Sequence, residues 1–250
     1  MNSTFVRERF HSGVVALLLI VVNLLVAVCA PAKTTNTLSD AEIQGRQLAQ
    51  QLLEQRPAEN FTNTGILQIR YGDGMRIGIS VEFQTIVTTT NWLTVYQTTS
   101  EGYRVKLVVV HSDKQPSRYQ FCEHDLAENE IMTPFAGSDF WIADLGLEFF
   151  HWPEQKVLKK EFRRNCSCVV LESANPNPAT NGYSRVDSWI DEESGGIVMA
   201  RAYDAQGKLL KEFYPKDVKK VKGQWQVESM ELDNVQTGSR TRLEFDLKQE

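Results

Sequence analysis

Over most of this chain hydrophobicity alternates with a period of two, and turn residues cut the pattern at short intervals. Ile77, Ile79, Val81 and Phe83 alternate with Arg76, Gly78, Ser80, Glu82 and Gln84, as in an antiparallel strand with one wet face. Further candidates lie near residues 66–71, 92–99, 103–111, 117–122, 156–163, 168–173, 184–191, 196–204, 208–214, 224–233 and 239–248. In the last, Thr241, Leu243, Phe245 and Leu247 share one face, and Arg240, Arg242, Glu244 and Asp246 the other. Gly72–Asp73–Gly74, Ser112–Pro116, Glu192–Gly195, Asp204–Gly207 and Thr237–Gly238 are turn chemistry of hairpin length. A parallel crossover needs about a dozen residues or more, so successive strands must meander antiparallel. About eleven to twelve strands with one apolar face must curl to bury it. The predicted fold is therefore mainly β: a strongly curved antiparallel sheet, an unclosed β-barrel, with a few helices covering its concave side. A two-sheet sandwich is the alternative, although it would normally need longer connections.

Only the span from Glu123 to Glu154 is long enough to cross such a sheet. Within it, Phe135–Pro153 is apolar, aromatic and reads as helix. Phe140, Trp141, Leu145, Leu147, Phe149, Phe150 and Trp152 cannot all pack on one face of a single short helix, so some must enter a second environment, either core or a pocket under a lid. A first helix is expected after the capping box Ser39–Asp40–Ala41–Glu42, with Ile43, Leu48, Leu52 and Leu53 on one stripe and Pro57 beyond its end.

Residues 1–32 are expected to be a secretory signal: Arg7 and Arg9, an apolar run from Val14 to Val28, and Ala30–Pro31–Ala32 at the cleavage site. The run falls short of the ~20 residues that span a bilayer. Lipidation at Cys29, giving an outer-membrane lipoprotein, is the alternative. Residues 33–250 are read as one domain. The net charge of −5 and the interspersed basic residues give nucleic acid no footprint. An oxidising compartment would favour a disulfide from Cys122 to one of the Cys166/Cys168 pair, with Cys168 the candidate, because two cysteines two apart on a strand bond poorly. A zinc site from Cys122, His124, Cys166 and Cys168 is the alternative, without standard spacing.

Signatures of chemistry are few. The sequence contains no G-x-S-x-G, P-loop, dinucleotide fingerprint or H-E-x-x-H motif. His111, His124 and His151 are expected at the surface or rim. Asp187, Asp191, Glu192 and Glu193 flank a hairpin turn, where solvated charge collects, rather than facing each other across a cleft as glycosidase chemistry requires.

Several motifs together resemble one family. They are Gly137–Ser138–Asp139–Phe140–Trp141–Ile142–Ala143–Asp144–Leu145, Cys168–Val169–Val170–Leu171–Glu172, Trp189–Ile190–Asp191, Tyr203–Lys211, Gly223–Gln224–Trp225 and Thr237–Thr241. In this order, over residues 60–248, they resemble the outer-membrane lipoprotein-sorting proteins, and specifically the LolA-like periplasmic branch often encoded beside lipid exporters. The resemblance implies a periplasmic carrier without enzymatic activity or cofactor. It would bind acyl chains of a lipoprotein or lipid in a hydrophobic cavity and move them between inner and outer membrane. Its partners would be those acyl chains, an inner-membrane exporter and, transiently, the membrane, and the carrier would be a monomer. Cavity candidates are Phe140, Trp141, Leu145, Trp92, Trp189 and Met199, with Phe149, Phe150 and Trp152 at the lid or rim. Arg70 lies where well-known members carry a lid-holding arginine, without its flanking pattern, and is the polar-gate candidate. An adaptor of an envelope exporter and a lipid- or glycan-acting enzyme are the competing functions.

Overall fold

The computed structural model describes residues 38–102, 104–112, 115–127, 130–221 and 224–246. The expected signal with Cys29, Gly223 and Leu247 lie outside the described residues. Helix α1 (Asp40–Leu53) begins at the capping box: Ser39 accepts from the Glu42 N–H, and Glu42 accepts from the Ser39 N–H at 2.7 Å. Then come β1 (Phe61–Arg70), β2 (Arg76–Val87), β3 (Asn91–Thr98), β4 (Lys106–Ser112), β5 (Arg118–Phe121) and β6 (His124–Asp125). The second run comprises β7 (Glu154–Arg163), β8 (Cys166–Ala174), β9 (Tyr183–Asp191), β10 (Ile197–Asp204), β11 (Leu209–Val221), β12 (Gln224–Asn234) and β13 (Ser239–Phe245).

They form one 13-stranded sheet in the order β6-β5-β4-β3-β2-β1-β13-β12-β11-β10-β9-β8-β7. Its pairings are antiparallel, as the hairpin-length turns require. The first and last strands meet mid-sheet, Leu67 opposite Leu243 and Ile69 opposite Thr241. The sheet does not close, and its edges β6 and β7 are consecutive in sequence. The chain between them therefore has to pass from one edge to the other. Bulges interrupt the ladders beside Ala202, between Pro215 and Val218, and beside Val157, and bulges add local twist and bend. Pro215, which offers no N–H, sits at such a break inside β11.

The crossing segment is less helical than its sequence predicts. It contains a 3-10 turn at Phe135–Gly137, a single helical turn α2 (Ile142–Leu145) and a 3-10 turn at Glu148–His151. Leu147 adopts a left-handed conformation, φ 52°, which breaks the helix and re-aims the chain. Its apolar side chains, with the concave faces of the strands, make two core clusters. One joins Leu67, Ile79, Leu107, Phe135 and Ile142; the other joins Ala49, Phe149, Trp152, Leu171 and Ile190. Helix α1 packs on β7 and the Glu148–His151 turn. A Cβ on Gly45 would lie 2.4 Å from the backbone nitrogen of Lys156, so glycine is what permits this approach.

Candidate functional site

Between the concave face and the crossing segment lies a cavity of about 480 Å³. Phe83, Phe213, Met230, Leu243 and Phe245 line it from the sheet, and Phe140, Leu145, Phe149 and Phe150 from the crossing segment. Phe61 at the start of β1 and Leu147 form its mouth, 52% and 38% exposed. Its floor is at the other end of the strands, where Lys211 pairs with Asn234 beside the β12–β13 turn.

The floor is polar. Lys211 is only 2% exposed. Its Nζ lies 3.3 Å from Asp144 Oδ2 and 3.7 Å from the centre of the Trp141 ring. Tyr183 donates to both Asp144 oxygens at 3.0 Å, and the Trp141 backbone N–H donates to Oδ2 at 2.8 Å. The Trp141 and Tyr183 rings stack 4.5 Å apart. Burial outweighs the attraction of Asp144 and brings the Lys211 ammonium down to about 8, so it remains mainly a cation at neutral pH. Burial and the Asp144 charge push the Tyr183 hydroxyl well above its ordinary value and keep it a donor.

Other buried or part-buried hydrogen bonds fasten the crossing segment to the sheet. Tyr96 donates to the Leu145 carbonyl at 3.0 Å, Thr241 to Asp139 at 2.8 Å and Tyr119 to Glu148 at 2.8 Å. Gln155 holds the carbonyls of Phe149 and Trp152, each at 2.9 Å. Beside Glu148, Ser117 Oγ bridges two histidines, 3.2 Å from His151 Nε2 and 3.5 Å from His111 Nδ1. Burial, reinforced by His151, lowers His111 to about 4; burial also lowers His151.

Of the residues singled out by sequence, Phe140, Leu145, Phe149 and Phe150 come together on the cavity wall. The remaining expectations need correction. Trp141 covers Lys211 and Tyr183 without lining the cavity. Trp92 stacks on His111, 5.1 Å between ring centres, away from the cavity. Trp189 and Met199 pack with Cys168 and Val170 on the opposite face, because strand parity sends Val186, Ala200 and Ala202 inward. Phe149, Phe150 and Trp152 are buried, not at a rim, and Trp152 lines a recess beside α1. Arg70 points outward, since Leu67 and Ile69 take the concave face; it lies opposite Arg76 and Arg240 and cannot gate the cavity.

The cysteines depart from expectation too. Cys122, Cys166 and Cys168 are free thiols: Cys122 follows β5, near one edge, while Cys168 lies on β8, near the other. Among the described residues no three His, Cys, Asp or Glu side chains converge on a metal position. His111 and His151 are half-buried partners where rim residues were expected; His124 is exposed. Of the turn carboxylates, Asp191 is engaged by Ser194 and Glu192 by Lys160 and Ser167, whereas Asp187 lies buried within β9 beside Arg185 instead of in a solvated turn.

Sequence reasoning missed Lys211 and Asp144. Lys211 lies two residues before Phe213 and shares its inward face, a signal the alternation carried.

A family model described as an uncharacterized protein matches residues 124–248, half of the chain. No curated protein matches. Among solved structures, a DUF1329 family protein from Desulfovibrio piger is 17% identical, with a TM-score of 0.68 over 83% of this chain and 92% of its own. A domain named for outer membrane lipoprotein sorting, from Vibrio parahaemolyticus, is 17% identical, with a TM-score of 0.69 over 82% and 92%. A LolA superfamily protein from Nitrosomonas europaea is 13% identical, with a TM-score of 0.57 over 85% and 94%. At these identities the likeness is one of fold.

Proposed function

We propose that this chain, which belongs to the uncharacterised family matched over residues 124–248 and has a LolA-like fold, is a non-enzymatic carrier of acyl chains. It takes a lipid or lipoprotein from the inner membrane, shields its hydrocarbon in the concave cavity and delivers it toward the outer membrane. The observation that carries the reading is the cavity itself: about 480 Å³ walled mainly by aromatic and aliphatic side chains, between the sheet and its crossing segment. Each methylene removed from water gains about 0.8 kcal/mol, so an acyl chain needs such a shield to cross an aqueous space. A carrier must also release, and the exposed end of the cavity at Phe61 and Leu147 is the way out.

In this reading the protein is an exported periplasmic monomer that meets an inner-membrane exporter and touches membranes transiently. No covalent step is assigned. Lys211 is engaged by Asp144 and Trp141, and Ser117 with its two histidines lies off the cavity wall.

Binding of an uncharged fluorescent acyl probe tests the reading, with Ala202→Trp as the variant that fills the cavity. Saturable binding by the parent and its loss in the variant are expected. An empty parent that binds no uncharged acyl probe would overturn it.

A further inference from the structure

The carrier reading leaves open which end of the cargo enters first, and the polarity of the cavity bears on that. Its exposed lining includes Phe61 and Leu147 with the neutral Gln55, while a cation is buried deep in it. A buried charge is not what a head-out lipid needs. A lipid whose head stays in water requires hydrocarbon walls to the bottom, and a lysine there would only be desolvated.

Lys211 Nζ has three N–H donors. Asp144, at 3.3 Å, is its acceptor among the described residues, and the Trp141 ring covers another direction. Asp144 is held by other donors as well, from Tyr183 and the Trp141 backbone. The ammonium therefore has donors left over, and Lys211 is part of the cavity lining. The charge of the pair is already balanced. An anionic head would leave an uncompensated negative charge beside Asp144 and Asp139, whereas a carbonyl or hydroxyl oxygen would complete the site without adding charge.

Capacity points the same way. A cavity of about 480 Å³ has room for an acyl chain.

We infer that the occupant is a single-chain lipid seated head first: its uncharged carbonyl or hydroxyl end accepts from Lys211 Nζ, and its chain runs past Phe213 and Phe245 to the mouth. This rests on the carrier reading and narrows its cargo. A lipoprotein, whose head is a folded polypeptide, cannot bind this way.

Displacement of an apolar fluorescent probe by dodecanol, dodecane and lauroyl lysophosphatidylcholine tests the inference. Wild-type protein is expected to bind dodecanol roughly tenfold tighter than dodecane, and the lysolipid, whose head cannot reach the floor, more weakly than dodecanol. The paired variant K211M/D144N removes both charges and keeps an amide oxygen for the Trp141 N–H. It should bind dodecane as before and lose the preference for the alcohol. Equal weakening of alcohol and alkane in the variant, or wild-type affinity for the lysolipid matching that for dodecanol, would overturn head-first binding. If none of the three binds, the alkane included, the carrier reading itself fails.

Discussion

Lys211 on β11 and Asp144 on the crossing segment form a buried ion pair, 3.3 Å from Nζ to Oδ2, that fastens the cover of an apolar cavity to its wall. The same carboxylate accepts from Tyr183 and caps the turn that carries it. Removing one partner leaves the other charged, desolvated and uncompensated. Asp144→Ala is therefore expected to lower the free energy of unfolding by about 3 kcal/mol, while K211M/D144N recovers most of that loss. Urea unfolding followed by tryptophan fluorescence checks both. A single substitution as mild as the pair would show that the ion pair contributes little.

Docking of α1 depends on Gly45. In an isolated helix glycine to alanine stabilises by about 1 kcal/mol. Here the new Cβ would meet backbone atoms of Lys156 at 2.4 and 2.5 Å, which no rotamer change can relieve. Gly45→Ala is expected to destabilise by about 1 to 3 kcal/mol and to raise hydrogen exchange in α1 and β7. Higher melting temperature in this variant would mean that the helix is not seated on β7.

Acid should weaken the fold through His111. Burial holds its folded value near 4, against about 6.5 when unfolded, so between those pH values the unfolded chain binds more protons. Stability then falls as pH is lowered from about 6.5 to 4, by at most about 3 kcal/mol. His151, lowered in the same direction, adds to the trend. Denaturant midpoints measured at pH 7 and pH 5 are expected to differ in the parent and to differ less in His111→Gln. Identical pH dependence in both proteins would remove His111 as the cause.

Thiol accessibility separates the cysteines. Cys122 is exposed, whereas Cys168 is buried and burial raises its thiol above the ordinary range. Brief alkylation of native protein, followed by peptide mass spectrometry, should label Cys122 first and Cys168 last. Recovery of a Cys122–Cys168 peptide under non-reducing conditions would restore the disulfide that the sequence alone made attractive.

The strands were legible because period-two alternation and hairpin turns are local signals. His124–Asp125, a strand of two residues, is too short to show any period. The crossing segment was legible as the one long connection, and its aromatic content led to Phe140 and Leu145 on the cavity wall. Side-chain type points to Trp189 and Met199 where parity does not, whereas Trp92 shares the inward parity of Thr94 and Tyr96 and stacks on His111 instead of lining the cavity. For Trp189, parity decides: Val186, three residues earlier, faces inward, so Trp189 faces out. A strand lysine ordinarily reads as solvent-facing, although Phe213, two residues on and on the same face, marks the inward register of Lys211. The His111–Ser117–His151 contact joins β4, the start of β5 and the crossing segment, and no local pattern announces a meeting of three distant segments.

The central claim is that the cavity carries an acyl chain. Mass spectrometry of an organic extract from the purified protein, with Ala202→Trp purified in parallel, tests it most directly. One single-chain lipid per parent molecule and none in the variant is the expected result. Parent protein free of lipid, or equal lipid in parent and variant, would contradict it.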